Sequence, residues 1–134
     1  MSHEGLHEAP ELLSGETRNL HRALISLMEE LEAIDWYQQR ADACDDPALK
    51  AVMLHNRNEE VEHAMMTLEW VRRRDAHFDK FGRRYLFTDA DIIGIEEAAD
   101  IAEAAAEAAS APAPAVGEGV GGDDTLGIRS LRGP

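Results

Sequence analysis

Cysteine is nearly absent: Cys44 is the single thiol in 134 residues. No intramolecular disulfide can form, which fits a reducing cytosol. With no matching Cys/His context around it, Cys44 reads as an inert thiol. Aromatic residues are scarce at 5%, so a core must be built mainly from Leu, Ile, Val, Met and Ala. That composition favours helices over sheets. No run of about 18 apolar residues occurs, so no segment is expected to span a membrane. The N-terminus lacks a basic start and an apolar run, so no signal peptide is expected. Positive charge is in deficit too. Thirteen basic residues face 27 acidic ones, a formal net charge of −14. Such a surface repels nucleic-acid phosphates and anionic lipids and attracts cations. Metal ions or basic proteins are therefore the expected partners, and nucleic acid and membrane are not.

What is present is helical periodicity. Residues 1–10 read as a polar, flexible lead-in, with Pro10 suited to opening a helix. From Glu11 to about Ala43, Leu20, Leu24, Leu27, Leu31 and Ile34 alternate in steps of four and three, which puts them on one face. A helix of that length spans about 45 Å. Asp45-Asp46-Pro47 breaks the pattern and restarts it, with Asp46 as N-cap and Pro47 as first helical residue. A second helix runs from about Pro47 to Arg74, with Leu49, Val52, Met53, Val61, Ala64, Leu68 and Val71 as its apolar positions. The short connection makes the two an antiparallel hairpin. A short third helix follows around Phe78, Phe81, Tyr85, Leu86 and Phe87, completing a helical unit over residues 11–88. Residues 89–124 read as a marginal helix, after a Thr88/Asp91 cap, followed by a flexible Ala/Pro/Gly linker. Residues 125–134 bring aliphatics back at the end of that tether. The fold class is all-α.

Carboxylates interrupt the apolar faces. Glu30 lies three residues after Leu27 and four before Ile34, with Tyr37 seven residues further along the same face. A buried lone carboxylate costs several kcal/mol or becomes neutral unless it is compensated; a metal, a basic partner or water could do this. On the second helix, Glu60-x-x-His63 places a carboxylate and an imidazole one turn apart. Ferritin-like carboxylate bundles take one Glu from each of two helices and a Glu-x-x-His from each of the other two. This chain carries half of that set. Two copies would supply two Glu30, two Glu60 and two His63, so dimerisation into a four-helix bundle would serve folding and metal binding together. The alternative is a solvated acidic face. His21, His55 and His77 read as surface histidines, Arg72-Arg73-Arg74 as a solvated helix end, and Met65 and Met66 as packing residues.

The run from Met28 to Asp42, MEELEAIDWYQQRAD, resembles the first helix of encapsulated ferritins, and His55 to Ala64, HNRNEEVEHA, resembles their second. The tail LGIRSLRG, Leu126 to Gly133, is similar to encapsulin cargo-loading peptides. The resemblance implies a ferroxidase that uses iron as a di-iron Fe2+/Fe3+ centre, with Glu30, Glu60 and His63 as ligands and Tyr37 beside the metal. It implies that Glu29 and Glu32 guide metal inward past Trp36. It further implies a homodimer at the site, a ring-shaped homodecamer, and a cytoplasmic location inside an encapsulin nanocompartment. Leu126, Gly127, Ile128, Ser130 and Leu131 would engage the shell. Arg129 stands where many such peptides have Gly. Two rival readings remain at this point: a helical cargo adaptor without catalysis, and a buffer that binds divalent ions without turnover.

Overall fold

The computed structural model describes residues 5–115, and among them every regular element is a helix. A 3-10 turn at Pro10–Leu12 precedes α1 (Gly15–Ala43), α2 (Pro47–Arg74), α3 (Ala76–Tyr85) and α4 (Ile92–Ser110). The described chain divides after Ile95 into two units.

The first helix begins later than the periodicity suggests. Pro10 opens the separate 3-10 turn, and α1 starts only after Ser14. Ser14 has extended backbone, and its hydroxyl accepts the Thr17 N–H at 3.1 Å, satisfying a donor that has no partner within the helix. The restart at α2 follows the sequence signal. Asp46 accepts the Leu49 N–H at 2.7 Å and Pro47 occupies the first turn. Asp75 serves two helices. Its N–H donates to Val71 O, closing α2, and its carboxylate accepts from the N–H groups of His77 and Phe78, opening α3. Asp91 caps α4 by accepting the Gly94 N–H at 2.8 Å.

α1 packs against α2, and α2 against α3. The start of α1, Ser14 to Leu20, lies beside Trp70 and Arg74 at the end of α2. Near mid-helix, Glu30 meets His63. The pair is therefore an antiparallel hairpin. The seam on α1 runs through Leu20, Leu24, Leu27, Glu30, Ile34 and Tyr37, all half-buried, to the buried Ala41. Leu31, expected on that face, is instead 52% exposed. On α2 the seam includes Met53, Glu60, Ala64 and Val71, while Leu49 and Val52 face outward. Among the described residues only Ala41, Ala64 and Val71 are fully buried. A two-helix hairpin has one shared seam and cannot enclose more. Met28, Leu31, Met65 and Met66 stay about half exposed, so the two methionines expected to pack are only partly covered within one chain.

α3 is fastened to α2 by charge. Arg72 makes a bidentate pair with Glu69, at 2.6 and 2.8 Å, and also reaches Asp79 on α3, which in turn takes Arg83. Arg72 is thus half-buried and bridging, where a solvated helix end was expected. α3 ends at Tyr85, and Phe87, two residues on, has φ 59°. That left-handed position past a helix end usually holds Gly.

Candidate metal centre

Three side chains from two helices converge. α1 supplies Glu30, and α2 supplies Glu60 and, one turn on, His63. Their ligand atoms lie within 4.8 Å of one another. His63 Nδ1 is 3.3 Å from Glu60 Oε2 and 3.9 Å from Glu30 Oε2. Two donors bound to one ion at about 2.1 Å each can stand no more than about 4.2 Å apart, and both of these separations fit. The carboxylates are about one-quarter exposed and His63 is 45% exposed, so the group opens on the hairpin's surface.

The two carboxyls perturb each other in opposite directions. Glu30 is held above the usual carboxylate range, first by its hydrogen bond with Glu60, then by partial burial and the negative charge of Glu60 and Glu29. Glu60 is held below that range, chiefly by the same hydrogen bond and then by His63. No Arg or Lys contributes to either shift. No fixed cation neutralises the pair, so an incoming metal ion would compete with protons for these groups. Two carboxylates and one imidazole suit iron, manganese or zinc.

Glu29, Glu32, Trp36 and Tyr37 all stand on α1 outside this trio. Glu29 and Glu32 are exposed, Trp36 is 48% exposed and Tyr37 is half-buried. The Arg40 guanidinium lies 5.5 Å from the Tyr37 ring and 5.9 Å from that of Trp36. Leu126, Gly127, Ile128, Ser130 and Leu131 fall outside the described residues. Sequence reasoning missed one polar pair: His55 lies 3.8 Å from Glu59, on an exposed face. The signal was the spacing of four. His77 stacks at 6.4 Å on Phe81 and stays exposed, as expected of a surface histidine.

Comparison with known proteins identifies the family. Residues 5–89 match the EncFtn-like family. An encapsulated ferritin-like protein of Rhodospirillum rubrum is 51% identical over 132 residues, covering 98% of this chain and 91% of that protein. A ferritin-like protein of Thermotoga maritima is 48% identical over 91 residues, covering 68% of this chain and 80% of its own length. The crystal structure of a Nitrosomonas europaea protein superposes with a TM-score of 0.65 at 57% identity, covering 66% of this chain and 98% of that one. With its helical hairpin, its Glu/Glu/His trio and these relatives, the chain belongs to the EncFtn-like family of encapsulated ferritin-like proteins.

Proposed function

We propose that this chain is a ferroxidase that oxidises Fe(II) to Fe(III) at a di-iron site completed by a second copy. The observation that carries this reading is the Glu30/Glu60/His63 trio, an incomplete ligand set open on the surface of a hairpin. Exposed Met28, Leu31, Met65 and Met66 occupy neighbouring positions on the same two helices. Two trios brought face to face supply four carboxylates, whose charge balances two ferrous ions. Burying the half-exposed aliphatics drives the same association.

Ferrous iron is the substrate. Glu30, Glu60 and His63 form the binding group on each chain. Each ferrous ion loses one electron to an oxidant such as dioxygen, so a pair delivers two. The protein's part is to set separation, charge and access. Glu29 and Glu32 concentrate cations at the approach, beside Trp36, and Tyr37 stands next to the metal pair. Dimers assemble into a ring-shaped decamer. The tail residues Leu126, Gly127, Ile128, Ser130 and Leu131 attach the assembly inside an encapsulin shell, which stores the ferric mineral.

Aerobic oxidation of ferrous iron, followed by ultraviolet absorbance, tests the reading in wild type and Glu60→Ala. Fast oxidation in wild type and near-background rates in the variant are expected. Background rates in both would leave a cargo adaptor or a non-redox metal buffer as the function.

A further inference from the structure

Residues 17–28 of α1 contain no Asp or Glu, in a chain that has 27 of them. Arg18, His21 and Arg22 fall within this stretch. Spacings of three and four put them on one side of the helix, where side chains one turn apart are neighbours. None of the residues three or four positions from any of them is acidic. Leu6 of the lead-in faces the same side of α1, and together with Arg18, His21, Arg22, Ile25 and Ser26 it lines an open groove of about 400 Å³. Arg18 and Arg22 are exposed, whereas His21 and Ile25 are half-buried. Arg22 is oriented by Asn19, whose Oδ1 accepts from its Nη1 at 2.7 Å, which uses one of the guanidinium's donors. The Ser26 hydroxyl donates to Arg22 O at 2.8 Å, so the free donors of the groove are the three basic side chains. Among the described residues no carboxylate pairs with Arg18, His21 or Arg22. Arg72, Arg73 and Arg83, by contrast, are each held by a Glu or an Asp.

We infer that this groove is a binding site for inorganic phosphate, held by Arg18 and Arg22 with His21 as a third donor. Two guanidinium groups one turn apart repel each other. An oxyanion between them replaces that repulsion with charge-assisted hydrogen bonds from two planar forks. Leu6 and Ile25 supply apolar wall, which lowers the local dielectric and strengthens those bonds. The rest of the surface sets the size of the ligand. At a net charge of −14, a nucleic acid or an acidic protein would meet repulsion outside the groove, and a single oxyanion does not. Arg22 stands eight residues before Glu30 on the same helix, about 12 Å along its axis. Phosphate held there lies close enough to join ferric ion that leaves the metal centre for the mineral. That consequence rests on the proposed ferroxidase reading; phosphate binding itself does not.

The test is a titration of the metal-free full chain with inorganic phosphate, followed by phosphorus NMR, with ionic strength held constant by chloride. Wild type is expected to bind phosphate saturably. Arg18→Gln and Arg22→Gln keep good helix formers at exposed positions. Each should weaken binding at least tenfold, and the double variant should abolish it, with the helix content of wild type by circular dichroism. Arg73→Gln, outside the groove, should bind as wild type does. If wild type shows no saturable binding against chloride, or if the double variant binds as wild type does, the inference is wrong. It is equally wrong if Arg73→Gln weakens binding as much as the groove variants do, because general surface charge would then be the attraction. Aerobic oxidation of ferrous iron by the same samples separates this inference from the metal reading. Phosphate binding through Arg18 and Arg22 without oxidation in wild type would sink the metal reading and leave the phosphate site standing. Oxidation without phosphate binding would do the reverse.

Discussion

Glu30 and Glu60 at the middle of the hairpin, and Glu69 and Asp79 at the α2–α3 junction, are the same chemistry in opposite surroundings. The junction carboxylates meet guanidinium groups. Arg72 and Arg73 hold Glu69 down to about 2, and Arg72 and Arg83 lower Asp79. The hairpin carboxylates meet each other and one imidazole, so Glu30 is held above the usual carboxylate range and Glu60 below it. A carboxylate with an arginine is satisfied and fastens one helix to another. A carboxylate facing its own kind remains open to a cation. The neighbour, more than the residue type, separates a structural acid from a metal-binding one.

The comparison breaks most visibly at the hairpin. Glu30→Gln keeps the shape, removes the charge and should weaken ferrous binding at least about 100-fold, since even supporting residues around a metal cost 10–100-fold. Titration calorimetry with Fe(II) under anaerobic conditions measures this. The metal-free variant should unfold no more easily than wild type, because a carboxylate contact has been removed. Glu69→Gln is the contrasting case, with metal binding unchanged. Between the two regions, Val71→Ala leaves both sets of charges intact. It removes packing from a fully buried site and should lower stability by about 2 kcal/mol in urea denaturation. Asp75→Ala should cost about 1 kcal/mol, because the N–H groups of His77 and Phe78 lose their acceptor. Hydrogen exchange should rise first in α3.

Acidity gives the finest test. Glu69 has its pKa lowered from 4.5 to about 2, so its contribution is complete above pH 4.5 and fades as the pH falls towards 2. The hairpin pair behaves differently. Glu60, lowered, loses its contribution as pH falls, and Glu30, raised, loses its own as pH rises. The metal-free pair is therefore most favourable between those limits. Acidification should also release bound metal while the α2–α3 junction still holds. Parallel hydrogen-exchange and metal-release titrations should show the metal leaving at the higher pH.

Much of this was legible in the sequence, for identifiable reasons. Asp46-Pro47 named the restart of α2, because cap and first-turn residues act locally. Glu30 and Glu60-x-x-His63 could be placed on facing stripes because helical spacing is regular. The start of α1 was misread, since Pro10 can begin either kind of helix and only the Ser14 hydroxyl on Thr17 N–H distinguishes them. Leu31 was assigned to the hairpin seam because hydrophobic spacing does not say which of two apolar faces a residue serves. Arg72 looked like a solvated end because its partner Asp79 belongs to the next helix, and a pairing between helices leaves no periodic trace. The strained backbone at Phe87 had no signal at all: a Phe following Tyr85-Leu86 reads as more of the same apolar run.

The turn between α1 and α2 has a consequence for inheritance. Glu30 stands thirteen residues before Ala43, and Glu60 stands thirteen after Pro47. The ligands are mirror images about a hinge of three residues. A single codon gained or lost between Glu30 and Ala43 would turn that ligand by about 100° around its helix axis and leave its counterpart unmoved. The same event before Gly15 or beyond Arg74 would leave the trio untouched. Length variation among descendants of this gene should therefore gather at the two ends of the hairpin and spare the stretch from Glu30 to His63.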